Sequence, residues 1–224
     1  MEKSYLKVDN YIKEQILNGE LKAGDKLPPE RELAQILDVS RNSVREGLRI
    51  LENMGVIASQ QGSGNYISNE FDDAIVSVMS YMYVLKDLNM DQITDFRYAL
   101  EWQAINLAAL RITESQKKRL FELLEKMEQA ETEKMRVAYD KEIHYQLIEA
   151  SGNDYMLVNF KALASIMDRY IFQMRGKIIQ GMNSDEDLTM AHRMMIEGVA
   201  EGDREKGRQG LELHYTYIYQ FKNT

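Results

Sequence analysis

Residues 27–67 read LPPERELAQILDVSRNSVREGLRILENMGVIASQQGSGNYI, and the order of signals in this stretch decides the fold of the first part of the chain. Pro28 and Pro29 are the only prolines, and neither fits inside a helix, so they divide one upstream segment from two downstream ones. The downstream pair are short helical patterns: ERELAQILD from Glu30, and SRNSVREGLRILENMG from Ser40, with Asp38-Val39 as a tight connection. Ser40 has the side chain of an N-cap, and Gly55 has the freedom of a helix stop. VIASQQGSGNYIS then reads as two short strands around a glycine-containing turn. The stretch predicts a small winged helical module.

Upstream, Val8, Tyr11, Ile12, Ile16 and Leu17 form an amphipathic segment, and Gly19 and Gly24 act as stop and turn signals before the prolines. After about Asn69 the texture changes. Residues 71–222 contain no proline, and their periodicity predicts helices at about 71–86, 91–111, 114–131, 133–150, 154–180, 184–201 and 203–221. Ser151-Gly152-Asn153 and Gly202-Asp203 are the clearest breaks. The expected fold is mainly α: a winged module with a β-hairpin over residues 1–69, then an all-α bundle of six or seven helices over 70–224.

With 44% hydrophobic and 29% charged residues, the chain has the composition of a folded globule. It has no cysteine, which excludes a disulfide framework, a thiolate zinc site and a cysteine nucleophile. The N-terminal MEKSYLKVDNYIKEQ carries charges where a secretory signal has an apolar core, and no apolar run approaches membrane-spanning length. The expectation is a soluble, cytoplasmic protein with no membrane partner. The net charge of −8 argues weakly against nucleic acid as a partner. Residues 1–68, however, hold nine Lys and Arg against ten Asp and Glu, so the acidity sits mostly in the remainder of the chain. A DNA-binding N-terminal part is compatible with this if its basic residues cluster.

They do cluster. Arg41, Arg45 and Arg49 step by four and share one helix face, with the short polar Ser40, Asn42 and Ser43 at the first turn. Val44, Leu48 and Leu51 line the opposite side. A helix that enters a major groove needs this division of faces. An ordinary solvated helix, with Arg45 and Arg49 bridging Glu46, Glu52 or Asn53, has the same spacing.

The whole run from Leu27 to Ile67, with the helix before it, resembles the winged helix-turn-helix of the GntR family of bacterial transcription regulators. The resemblance implies that Arg31, Ser40, Arg41, Asn42, Ser43 and Arg45 meet an operator, with Gly62 and Gly64 at the wing tip near the minor groove. Two positions depart from the family pattern. Pro29 stands where a capping serine is common, and its fixed φ partly replaces that cap. Gly47 stands where alanine is usual, at a cost of about 1 kcal/mol to the helix.

The helical part poses a different question. Val137, Asp140, His144, Leu147 and Ser151 step by three and four, so Asp140 and His144 point inward with the apolar residues. His192 shares a face with Leu188, Met195 and Val199, and His214 with Leu211, Ile218 and Phe221. All three histidines of the chain thus fall on core-directed stripes. A single inward histidine is usually a core residue satisfied by a neighbour. Burying three imidazoles and a carboxylate without compensation would cost several kcal/mol, and a divalent cation bonded to all four removes that cost.

The segments YDKEIHYQLIEASGN, AHRMMIEGVAEGD and LELHYTYI, with the earlier FRYALEWQAINLAA, resemble the FCD ligand-binding domain of the FadR subfamily of GntR regulators. In its metal-containing branch an aspartate and three histidines hold an ion, which carries over to Asp140, His144, His192 and His214. Three nitrogens and a carboxylate suit one Zn²⁺, Ni²⁺, Co²⁺, Fe²⁺ or Mn²⁺ per subunit, with Zn²⁺ or Ni²⁺ favoured.

Arg97 lies on an inward face with Ile93, Leu100 and Ala104 and needs an anionic partner. One reading pairs it with Glu101 at i+4. The resemblance instead implies that its planar fork clamps an effector carboxylate opposite the metal. Tyr98, Asn106, Arg169 and Gln173 are further pocket candidates by helix face alone.

Together these readings describe a homodimeric transcription repressor whose subunits read the halves of a double-stranded, pseudo-palindromic operator under the control of a small carboxylate metabolite. Three alternatives stay open. The metal itself is the signal, or it is purely structural with Arg97 fully paired, or the site is that of an enzyme. The last is disfavoured, because Glu142 and Glu149 fall off the inward stripe and leave no general base beside the ligands.

Overall fold

The computed structural model describes residues 3–69, 72–85, 89–164, 167 and 186–221. The chain divides into two compact units, residues 1–77 and 78–224.

The first unit begins with α1 (Leu6–Leu17), α2 (Glu30–Ile36) and α3 (Arg41–Asn53), followed by β1 (Ile57–Gln60) and β2 (Gly64–Ile67). The strands form an antiparallel hairpin in which Ile57 faces Ile67 and Gln60 faces Gly64. Lys26 adds an isolated bridge to Tyr66, so the segment after α1 laps onto the wing. Ser40 caps α3 as expected: its Oγ accepts the backbone N–H of Ser43 at 3.1 Å. Pro29 holds the cap position of α2 with no side-chain hydrogen bond. Val8, Ile12, Leu33, Val44, Leu48, Leu51, Ile57 and Ile67 fill the core.

Gly47 has a role that helix propensity does not describe. It is buried against α1, where an added Cβ would stand 2.7 Å from Val8 Cβ and 3.0 Å from the Tyr5 carbonyl oxygen. The bare Cα lets α1 and α3 approach, so the weak helix former is the residue that permits the packing.

Helix α4 (Asp72–Leu85) crosses the division between the units. The second unit continues with α5 (Met90–Arg111), α6 (Glu114–Glu128), α7 (Glu133–Ala150), the described part of α8 (154–164), α9 (Glu186–Glu201) and α10 (Arg204–Phe221). Asn89, Thr113 and Thr132 cap α5, α6 and α7, and Thr113 with Gln116 forms a full capping box. Helix α6 stops at Glu128 rather than near 131, where its last carbonyls are taken up around Gln129 and Ala130. The bundle core runs through Ile105, Leu120, Leu123, Met127, Ile143, Leu147, Leu188, Met195, Val199, Leu211 and Tyr215.

Helices α9 and α10 meet backbone to backbone at glycines: a Cβ at Gly210 would lie 2.6 Å from the Met195 nitrogen, and one at Gly198 would run into Gly207. This approach holds α9 and α10 close enough for His192 and His214 to stand ring to ring, with centroids 4.8 Å apart.

Candidate metal centre

Asp140 and His144 come from α7, His192 from α9 and His214 from α10. Each is at most 4% exposed. One ligand atom from each of the four lies within 4.8 Å of all the others. His192 packs edge to face on His144, 5.4 Å between centroids, and His144 and His214 are tilted to each other at 4.8 Å. The stripes read from the sequence therefore converge on one point.

The ring nitrogens divide into two kinds. His192 Nδ1 lies 2.7 Å from the Leu188 carbonyl oxygen; since a carbonyl only accepts, Nδ1 carries the proton and Nε2 presents a lone pair. His144 Nδ1 lies 2.5 Å from Glu101 Oε2, which likewise turns the lone pair of Nε2 into the cluster. His144 Nε2, His192 Nε2 and His214 Nδ1 are buried without a hydrogen-bond partner. His192 Nε2 is also only 2.7 Å from Asp140 Oδ1, without hydrogen-bond geometry. Two acceptors that face each other in a dry site repel, and a cation between them reverses the sign. Burial, then the neighbouring His192 and His144, push His214 well below the ordinary histidine range, so it stays neutral as a ligand must. Three inward lone pairs and a carboxylate are a donor set that a divalent transition metal fits.

Behind the cluster stands Glu101, 3% exposed, a residue that the sequence offered only as a partner for Arg97. Its Oε1 accepts from Arg97 Nε at 2.5 Å and from the Tyr215 hydroxyl at 3.2 Å, while Oε2 holds His144. Burial alone would raise its pKa, but the charge of Arg97 and the hydrogen bonds from His144 and Arg97 outweigh burial and hold it below the usual carboxylate range. Metal-binding histidines commonly lean on such a carboxylate, which fixes the tautomer and ring orientation. Glu101 thus has a defined job here, and it is not a free base. The signal that would have found it is the inward Arg97–Glu101 pair itself, one turn apart.

Arg97 takes the partner named in the first of its two sequence readings. It pairs with Glu101, yet the pair uses only Nε, and its terminal nitrogens have no hydrogen bond among the described residues. Burial would lower its pKa, but Glu101, Tyr215 and Asp140 more than compensate, and it stays charged. Tyr98 packs on Trp102 and Tyr215, and the Asn106 amide turns back to the Trp102 carbonyl. Neither lines the cavity beside Arg97. Arg169 and Gln173 lie outside the described residues.

In the first unit, Arg31, Ser40, Arg41, Asn42, Arg45, Gly62 and Gly64 are exposed and Ser43 is half-buried. Val44, Gly47, Leu48 and Leu51 take the buried side of α3. Arg45 bridges Glu30 of α2 at 2.7 Å, not Glu46, Glu52 or Asn53. At this exposure the pair contributes little, on the order of 0–1 kcal/mol. Asn42, Arg45, Glu46 and Arg49 also line a shallow surface depression.

Comparison with known proteins agrees with both halves. Residues 4–67 match the family described as bacterial regulatory proteins, gntR family, and residues 92–217 match the FCD domain. The chain is 38% identical over 204 residues to the HTH-type transcriptional regulator YcbG of Bacillus subtilis, covering 90% of this chain and 82% of that protein. It is 29% identical over 205 residues to a putative L-lactate dehydrogenase operon regulatory protein of Escherichia coli, covering 89% and 78%. Its fold matches the solved structure of Streptococcus agalactiae GntR at TM-score 0.63 and 27% identity, over 99% of this chain and 100% of that one. Among the described residues no helix is long and apolar enough to cross a membrane.

Proposed function

The chain belongs to the GntR family of DNA-binding transcription regulators and carries an FCD domain, and from that premise we propose that it is a metabolite-responsive repressor with a resident divalent metal. Asp140, His144, His192 and His214 hold the metal. The observation that carries this reading is the set of three buried ring nitrogens without a hydrogen-bond partner, on histidines gathered with Asp140 so that one ligand atom of each lies within 4.8 Å of the others. A bound divalent cation supplies fixed positive charge there and offsets the buried carboxylate. The protein's own part is orientation: Glu101 sets His144, and the Leu188 carbonyl sets His192.

The effector is a small carboxylate received by the terminal nitrogens of Arg97, whose Nε remains on Glu101. The wing and α3 read the operator through Arg31, Ser40, Arg41, Asn42, Ser43 and Arg45, with Gly62 and Gly64 at the wing tip. A homodimer places two such heads on a pseudo-palindrome. Effector binding changes operator affinity by a coupling on the order of 1–3 kcal/mol, enough for regulation. The similarity to a regulator named for a lactate dehydrogenase operon supports a small organic acid as the effector class.

Elemental analysis of the full chain tests this function, together with operator shift assays on metal-loaded and chelator-treated protein, each with and without small carboxylates. About one metal per chain and a carboxylate-dependent release of DNA are expected. A metal-free chain that still responds, or a response to metal with none to carboxylates, would overturn it.

A further inference from the structure

Arg97 faces two ways. Its Nε belongs to Glu101 and the metal cluster, but the rest of the side chain lines a cavity of about 280 Å³ between α5, α7 and α8. Among the described residues, Ala138 and Tyr145 of α7 and Phe160, Ala164 and Met167 on the α8 side line it. The guanidinium carbon lies 5.5 Å from the centre of the Phe160 ring. Lys141 and Glu142 add one charge of each sign, and Glu142 is already shared with Arg119 and Gln146. The terminal nitrogens of Arg97, without a hydrogen bond among the described residues, favour an anion, while most of the described lining side chains are apolar. None of Asp140, His144, His192 and His214 lines it. At the volume a water molecule occupies in the liquid, about 30 Å³, the space corresponds to roughly nine waters, more than a two-carbon acid fills.

We infer that this cavity binds an organic anion with an apolar body, an aromatic or medium-chain carboxylate, whose acid group pairs with the terminal nitrogens of Arg97 and does not touch the metal cluster. The inference rests on the effector reading above and narrows its ligand class. The planar fork of Arg97 matches a carboxylate, and the body gains by leaving water for the wall of Phe160, Ala164 and Ala138. The anion and the metal communicate through Arg97, Glu101 and His144, a chain of two contacts of 2.5 Å. By linkage, each then changes the affinity of the other by the same factor.

The test is calorimetric titration of the full chain with benzoate, hexanoate and acetate at one ionic strength, in Zn²⁺-loaded and chelator-treated protein. Benzoate or hexanoate is expected to bind at least tenfold more tightly than acetate in both forms. Ala164→Leu and, from the opposite wall, Ala138→Leu fill the cavity and are each expected to abolish that preference, with folding checked by circular dichroism. These variants decide the matter in the Zn²⁺-loaded protein alone, whether or not the stripped chain stays folded. Equal binding of all three anions, an unchanged preference in both folded variants, or a preference confined to a metal-loaded protein with an intact fold in both forms would overturn the inference. A chain that binds no Zn²⁺ but keeps the preference would sink the metal reading and leave the cavity standing.

Discussion

Glu101 Oε2 lies 2.5 Å from His144 Nδ1, so a carboxylate from α5 fixes the direction in which a ring on α7 presents its other nitrogen. The same carboxylate carries Arg97 and Tyr215 on its second oxygen. Four side chains from three helices are thereby locked in one hydrogen-bonded group behind the cluster.

Glu101→Gln is expected to lower metal affinity about 10- to 100-fold, the usual effect of losing a carboxylate behind a metal-bound histidine. Competition with a chromophoric chelator measures it. Wild-type affinity in the folded variant would remove Glu101 from the metal's support.

Arg45→Ala is expected to leave thermal stability almost unchanged, because its bridge to Glu30 is exposed and worth about 0–1 kcal/mol. Specific operator binding should weaken by roughly 1–3 kcal/mol if the guanidinium reads a base edge. A shift assay against operator and scrambled DNA separates the two effects, and an unaltered ratio would reject Arg45 as a reader.

Gly210→Ala pushes a methyl into the Met195 backbone, 2.6 Å away. Overpacking of this kind costs about 1–3 kcal/mol. A chain of this size should lose roughly 2–4 °C in Tm for each kcal/mol, and spreading α9 from α10 should also weaken metal binding. Calorimetry and the chelator assay on the same sample test both, and a variant that melts and binds like wild type contradicts this role for the helix pair.

Stripping the metal is expected to lower the Tm of the wild type, since a ligand that binds only the folded state stabilises it by mass action. His192→Ala should show no such drop on chelation. An equal drop in both proteins would point to a metal held elsewhere.

Much of this architecture is legible in the sequence because each element carries its own periodicity. The stripes through His144, His192 and His214 show in the spacing of three and four residues along single helices. The Ser40 cap is local chemistry as well. The illegible part lies between helices. Glu101 meets His144 across 43 residues and Tyr215 across 114, and no local period encodes those meetings. Gly47 has the look of a weak point in α3 because propensity sees only the helix, whereas its reason is Val8 on α1. Gly198, Gly207 and Gly210 carry no local signal for the same cause. Arg45 takes Glu30 from α2 over the nearer Glu46, since that choice depends on how two helices cross.

The central claim is a cation held by four named side chains, and anomalous diffraction from a metal-loaded crystal, collected at the absorption edge of the metal, tests it most directly. One strong peak per chain is expected, about 2.0–2.2 Å from His144 Nε2, His192 Nε2, His214 Nδ1 and a carboxylate oxygen of Asp140. A peak at any other place in the chain, or none at full metal loading, would contradict it.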